Sequence, residues 1–306
     1  MKYIIVGPTI VNDIQFADGT TSKGHIGGAI FCLEGLKIWS DDCLYVSNVG
    51  EDFSNYYGEW MDKNHCSYEG LNYILPRTEY TTLVYGDEGL HDEVSIYSED
   101  IDKQISALDK RTAEQIASYC SDETKGIYIE ASESDPLWDN LHLIQMKCNA
   151  KIMWEIPTSA AMEKNRKEKV LKTIHKAGLY SINFPEAMSL FEKEDEKSAV
   201  DAIIAFGVPC FFRVGSKGSY MISDGQAYFA PSITIGDIVD ATGCGNCSTA
   251  AALYAYCEGF QPEKIAAMAN VAAAYNLVQY GPYPVITNET RTEALQLVEK
   301  LIGKFV

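Results

Sequence analysis

The sequence predicts an α/β protein, with a mainly parallel sheet covered by helices on both faces. Three observations carry this expectation. Short β-branched runs alternate with amphipathic helical stretches. Hydrophobic residues make up 46% of the chain and charged residues 22%, the composition of a globular protein with a sizeable core. No internal repeat and no linker rich in Pro, Gly or Ser divides the 306 residues, which predicts one domain over residues 1–306.

Taken in order, Met1–Val6 is apolar, but Pro8, Asn12 and Asp13 interrupt it too early for a signal-peptide core. Tyr3–Val6 therefore reads as a buried first strand. Leu44–Ser47, Gly126–Glu130, Lys151–Trp154, Leu179–Asn183 and Cys210–Val214 read as further strands. Asp109–Tyr119, Ala161–Ala177 and Lys197–Phe206 carry helical periodicity. From Gly243 to Val278 the chain is rich in Ala and small residues, which predicts closely packed helices. Two segments break the alternation. Ile10–Gly24 is polar and rich in Gly and Thr, and Tyr80–Tyr97 reads as strand, Gly86-Asp87-Glu88-Gly89 turn, and strand. Together they predict a small β lid, from about 10–25 and 74–100, inserted in the α/β core.

Charge narrows the partners. With 25 Lys plus Arg against 43 Asp plus Glu, the formal charge is −18, which repels a phosphate backbone. No local basic patch offsets it, so nucleic acid is excluded as a partner. No stretch approaches the roughly 18 apolar residues of a membrane span, so the reading includes no membrane. Nine cysteines, an odd number, are scattered from Cys32 to Cys257 without framework spacing, which predicts reduced thiols and a cytoplasmic location. His25, His65, His91, His142 and His175 lack metal-ligand spacing and read as structural, although His25, beside Gly27-Gly28, could face a polyol. The acidic run Asp87–Asp102 reads as a solvated lid surface.

The stretch that carries chemistry is Asp237-Ile238-Val239-Asp240-Ala241-Thr242-Gly243-Cys244-Gly245-Asn246-Cys247-Ser248. Two glycines meet a long helical pattern, and a helix start presents free N–H groups and about half a positive charge. Such a place suits an anion, including a phosphoryl group in transfer. Cys244-x-x-Cys247 is a weaker metal or redox signal, since no second pair exists. A dinucleotide fingerprint would need Gly where Ser248 stands, and no P-loop is present.

Asp240-Ala241-Thr242-Gly243-Cys244-Gly245-Asn246 resembles the Asp-Thr-Thr-Gly-Ala-Gly-Asp signature of PfkB/ribokinase-like carbohydrate kinases. The likeness continues in family order over most of the chain. Gly27-Gly28 is similar to the family's Gly-Gly opening a helix, and Asn48-Val49-Gly50-Glu51-Asp52-Phe53 to its Val-Gly-Asp-Asp-x-Phe stretch. Asn183-Phe184-Pro185-Glu186 resembles Asn-x-x-Glu, and Val214-Gly215-Ser216-Lys217-Gly218 the Leu-Gly-x-x-Gly turn. Ala269–Ala274 resembles the late Ala-rich helix. The resemblance implies a ribokinase-like three-layer α/β/α sandwich with a β lid, and ATP-dependent phosphorylation of a sugar or sugar-like alcohol.

It also implies roles. Gly243, Cys244 and Gly245 would form the anion hole through their backbone amides. Asn183 and Glu186 would help hold hydrated Mg²⁺, which keeps several waters; alternatively Asn183 merely caps the helix bearing Glu186. Gly215 and Gly218 would let the nucleotide lie against a turn, with Arg213 near its phosphates or else a plain surface charge. Asn270 and Ala274 would flank adenine or simply pack a helix. ATP and Mg²⁺ are the implied cofactors, with room for a monovalent cation near Asp240. The partners implied are a small-molecule sugar or polyol and, through the β lid, a second copy of the chain.

The sequence departs from the family at the reacting end. The signature's final Asp, the general base, is Asn246 here, and a carboxamide is essentially non-basic. Losing a general base costs about 10²- to 10⁴-fold. Asp237 and Asp240 lie nearby but match no base. The family's Asn four residues after Gly28 is Cys32, and its N-terminal sugar-binding Asp aligns with Asn12 or, shifted by one, Asp13. The Asp of the mid-chain Asp-Pro-Asn is represented by Glu155. Hydroxyl recognition depends on such groups. The reading is therefore a kinase with a changed acceptor or reduced activity, with a catalytically inactive ligand sensor or interaction protein on the same scaffold as the alternative.

Overall fold

The computed structural model describes residues 1–16, 18–85 and 91–303. The chain opens with β1 (Tyr3–Val6), β2 (Thr9–Gln15), β3 (Thr21–Gly28), α1 (Ile30–Lys37), β4 (Cys43–Gly50) and α2 (Phe53–Lys63). Next come β5 (Leu71–Leu75), β6 (Glu79–Tyr85), β7 (His91–Ser95), α3 (Glu99–Leu108), α4 (Ala113–Ser118) and β8 (Gly126–Glu130). The middle holds α5 (Leu141–Gln145), β9 (Lys151–Glu155), α6 (Thr158–Met162), α7 (Lys167–Ala177), β10 (Gly178–Asn183) and α8 (Phe184–Phe191). Then follow α9 (Glu196–Phe206), β11 (Cys210–Arg213), β12 (Gly218–Ser223) and β13 (Gln226–Pro231). The helices α10 (Cys244–Cys257), α11 (Pro262–Asn276) and α12 (Asn288–Ile302) complete it.

Nine strands form one sheet in the order β13-β12-β11-β10-β9-β8-β1-β4-β5, parallel from β5 to β11. The last two strands add an antiparallel hairpin. Side chains alternate strictly between two cores. Tyr3, Ile5, Tyr45, Tyr128, Met153 and Phe211 pack with α1, α10, α11 and α12 on one face. Ile4, Val6, Ile127, Ile129, Trp154 and Phe212 pack with α4 to α9 on the other. This is the α/β/α sandwich, and the period of two in the strands builds both cores at once. A second sheet, β3-β2-β6-β7, is the small mixed lid, with β3 and β7 as its edges. The Gly86-Asp87-Glu88-Gly89 turn lies outside the described residues.

Several elements differ from expectation for local reasons. The helix expected over Ala161–Ala177 breaks, because Glu163 is extended and Arg166 bonds Glu133 at 2.9 and 2.6 Å. The helix expected from Asp109 begins only at Ala113, where the Thr112 side chain accepts from the Gln115 amide. Gly27-Gly28 closes β3 rather than opening a helix. Gly28 has φ +67°, and a Cβ there would lie 2.5 Å from the Pro8 carbonyl oxygen, so the chain turns at that point and α1 starts at Ile30. The β12–β13 hairpin had no alternation strong enough to predict it.

The helix α10 sits against the sheet between α1 and α11, and small residues permit the approach. A Cβ on Gly35 of α1 would lie 2.0 Å from the Cys247 carbonyl oxygen of α10. Intrinsic propensity alone favours Ala over Gly by about 1 kcal/mol in a helix, whereas overpacking a core costs about 1–3 kcal/mol. The backbone collision is expected to win. Gly35→Ala should lower stability by about 1–2 kcal/mol in urea unfolding; a gain in stability would show that α1 and α10 can separate freely.

Candidate active site

In an open sheet, ligands bind beyond the carboxyl ends of the strands where the strand order reverses. Here the chain runs outward through β4 and β5 on one side of β1 and through β8 to β13 on the other. The reversal therefore lies between β1 and β8. Beyond it, the carboxyl-terminal residues of β8, β9 and β11 present Glu130, Glu155 and Arg213. Strict alternation places each beside Tyr128, Met153 and Phe211, on the face covered by α10. A row of charged strand ends thus meets one helix start.

That helix start is uncapped. Gly243 is the N-cap residue of α10 with φ +81°, and no side chain caps the helix. A Cβ on Gly243 would fall 2.2 Å from the Phe31 ring, so glycine is required both for the backbone and for the approach. The Cys244 amide is spent on the Ala241 carbonyl (3.2 Å), which corrects the expected donor set. Among the described residues the amides of Gly243, Gly245 and Asn246 have no acceptor. Three unspent donors at the positive end of a helix fit an anion such as a phosphoryl group. Arg213 reinforces the charge: its Nη1 lies where a Cβ on Gly245 would come within 2.0 Å. It also pairs with the Glu155 carboxylate, so the expected surface charge is a buried ion pair. Arg213 Nε and Glu155 Oε2 remain buried without partners.

Asn246, at the position of the missing base, is partly exposed. Its Nδ2 lies 3.2 Å from the Tyr128 hydroxyl and donates to Glu130 Oε2 at 3.3 Å. Burial and the neighbouring Glu155 push the Glu130 carboxyl up to about 7. Arg111 is the strongest influence opposing the rise, and it does not cancel it. It donates to the Glu130 backbone carbonyl (3.2 Å) and pairs with Asp109 (2.5 Å). Sequence reasoning missed Glu130, Tyr128 and Arg111. The available signal was a carboxylate ending an apolar strand.

Asn183 and Glu186 form a capping box at the start of α8. Asn183 Oδ1 accepts from the Glu186 amide (3.0 Å), and Glu186 Oε2 from the Asn183 amide (2.9 Å). Glu186 Oε1 accepts from Thr158 Oγ1 (2.8 Å). These bonds use two of the roughly four lone-pair sites of the carboxylate, so the pair fits a metal reached through water. Among the described residues no cluster of three or more His, Cys, Asp or Glu is placed to hold a metal. Asp240 Oδ1 accepts from the Thr242 amide and hydroxyl.

The nucleotide-side expectations divide. Gly215 (φ +62°) stands on an exposed turn between β11 and β12, whereas Gly218 is buried and a Cβ there would lie 2.1 Å from the Ala230 carbonyl oxygen. Asn270 is committed to the fold. It accepts from Ser219 Oγ (2.8 Å) and donates to the Ala230 and Pro231 carbonyls (2.8 and 3.1 Å). Ala274 is fully buried. In this structure both residues serve packing, Asn270 through these bonds and Ala274 by its burial.

On the lid side, Asn12 Oδ1 accepts from Thr81 Oγ1 (2.8 Å), and its Nδ2 occupies the space a Cβ on Gly27 would need. Asp13 Oδ1 accepts from the Gly24 amide (2.9 Å) and the Tyr80 hydroxyl (2.7 Å). Cys32 is fully buried beside Tyr128 and Asn246, beneath the site rather than in it. His25 bonds Ser22 Oγ (2.7 Å) and packs on Tyr280 at 5.0 Å. Both rings line a cavity of about 270 Å³ with Tyr56 and Trp60.

A family model described as pfkB family carbohydrate kinase matches residues 21–289. The chain belongs to this family. Among solved structures, Burkholderia thailandensis nucleoside kinase in complex with inosine superposes with a TM-score of 0.76 at 15% identity, covering 98% of this chain and 97% of the other. Methanocaldococcus jannaschii nucleoside kinase gives 0.73 at 18%, covering 98% and 99%. A putative ribokinase II from E. coli in complex with ATP and Mg²⁺ gives 0.75 at 16%, covering 98% and 99%. At these identities the likeness establishes the fold. Against curated proteins the sequence finds no match. Among the described residues no helix is long and apolar enough to cross a membrane.

The Glu130 environment can be tested without any ligand. The folded group keeps its proton up to about pH 7, whereas its ordinary value is 4.5. Folding takes up a proton in that window, so stability falls as pH rises through it. Glu130→Gln keeps an acceptor for Asn246 but cannot ionise. Its melting temperature relative to the unsubstituted protein should climb from about pH 4.5 to about pH 7 and then level off. A difference independent of pH would show that Glu130 ionises as freely as an exposed carboxylate.

Proposed function

We propose that the protein transfers the γ-phosphoryl group of MgATP to a hydroxyl of a sugar, free or within a nucleoside. The observation that carries this reading is the uncapped start of α10, with unspent amides at Gly243, Gly245 and Asn246 beside Arg213. Phosphoryl transfer needs little covalent chemistry from the protein; positioning and charge neutralisation supply most of the rate. In this proposal those amides hold the migrating group, with Cys244 shaping the turn. Asn183 and Glu186 hold the waters of Mg²⁺, and the Gly215–Gly218 turn lies against the nucleotide. Asn12 and Asp13 orient the acceptor from the lid, above Gly27 and Gly28. The nucleoside option rests on the two similar nucleoside kinases. Pairing of lid edges β3 and β7 would give the homodimer, readable by sedimentation.

Asn246 favours a second reading, a ligand sensor without turnover. MgATP at one hundred times its dissociation constant should stabilise the fold by about 2.7 kcal/mol if the nucleotide site is intact. The kinase reading expects that thermal shift together with ADP release in the presence of D-ribose, inosine, adenosine or a polyol. A shift caused by acceptors alone, without any from MgATP and without ADP release, is the sensor's outcome.

A further inference from the structure

Transfer to an alcohol leaves a proton to be placed, and the amide of Asn246 cannot take it. The structure brings a carboxylate to the same spot from another element. Glu130 Oε2 lies 3.3 Å from Asn246 Nδ2. The Glu130 side chain is partly exposed, and among the described residues its Oε1 makes no hydrogen bond and no cation pairs with it. It stands at the carboxyl end of β8, directly at the strand-order reversal. Opposite it, Gly7 directly follows β1 and has no side chain to cover it; a Cβ there would lie 3.5 Å from Oε2. Of the two carboxylates in the row, Glu155 is neutralised by Arg213. Glu130 alone is left for chemistry.

Resting on the kinase reading above, we infer that Glu130 accepts the proton of the acceptor hydroxyl, the task that the family's signature Asp would perform at position 246. As the acceptor oxygen bonds to the γ-phosphorus, the bond from phosphorus to the ADP oxygen breaks. The hydroxyl proton passes to Glu130 and from there to solvent, and ADP leaves with the bridging oxygen's electrons. Asn246 is a positioning residue, its amide donating to the carboxylate that takes over the task. The groups facing Glu130 are Tyr128 on its own strand, Glu155 on β9, Asp109 and Arg111 before α4, Cys32 on α1 and Asn246 on α10. Their balance leaves the carboxyl titrating near 7, where a proton acceptor works best at neutral pH.

The test uses the full chain, MgATP and whichever of D-ribose, inosine or adenosine it phosphorylates fastest. Glu130→Gln is expected to lower kcat about 10²- to 10⁴-fold with little change in KM. It should also abolish the rising limb of kcat near pH 7, while the thermal shift with MgATP matches the unsubstituted protein. Adding Asn246→Asp to Glu130→Gln should restore at least about tenfold of the loss, since the acceptor returns to the other element. If Glu130→Gln keeps its kcat, or loses only KM with the pH limb intact, the inference is overturned and the kinase reading stands. Turnover by Asn246→Asp alone, with none from the unsubstituted chain, overturns the inference in the same way. Silence from both, with no thermal shift by MgATP, overturns both.

Discussion

The site depends on holding the amino end of a helix at a crevice, half-buried, with its donors unspent. Exposed helix starts satisfy their amides with water or a capping side chain. Here no side chain caps the helix, so the position of its free amides is set by the packing around α10. Three contacts set it where a Cβ would intrude: Gly35 against the Cys247 carbonyl, Gly243 against the Phe31 ring, and Gly245 against Arg213. The Ala-rich body of the helix is buried nearly throughout, between α1 and α11. A larger residue at any of these contacts would move the donors relative to the strand ends. The small-residue pattern is thus a geometric requirement for keeping these donors at the strand ends.

Sheet register then decides which charges meet those donors. Glu130 pairs in register with Glu155, and Glu155 with Ser181, so neighbouring parallel strands carry their polar ends side by side. Two carboxylates in adjacent strands repel, and only one guanidinium, that of Arg213, reaches into the row. Arg111, the other nearby cation, is already matched to Asp109. The arrangement leaves an odd negative charge next to a helix start, and its proton is easily kept. Burial alone would raise either carboxyl; the uneven pairing separates their roles.

Much of this was legible in the chain. Six of the parallel strands announced themselves as apolar runs because both faces are buried, and the Gly243–Asn246 turn marked its own helix start. What stayed hidden depends on relations between distant residues. Whether Asn270 meets a ligand or the β12–β13 hairpin is decided by how α11 packs, since the side chain suits either. Cys32 could not be told from a ligand-facing residue, because a helix buried on all sides shows no polar face. Glu130 was visible as the last residue of a strand. Its relation to Asn246 requires knowing where the strand order reverses, and local pattern does not carry that information. The Asn183–Glu186 spacing was ambiguous for a different reason: a capping box and a water-bridged metal site use the same two side chains.

The amide at position 246 is therefore better understood as one half of an exchange than as a deletion. A carboxylate there, 3.3 Å from Glu130 Oε2 at the present geometry, would give a third acid in a row that holds one guanidinium. Like charges at that distance cannot both ionise freely, and one would keep a proton. With Asn the contact becomes a hydrogen bond from a neutral donor, and the remaining carboxylate keeps one oxygen without a partner. Electrostatics thus limits this corner of the fold to one free acid at a time. Which strand or helix supplies it is constrained far less, because β8 and α10 both end at the same crevice.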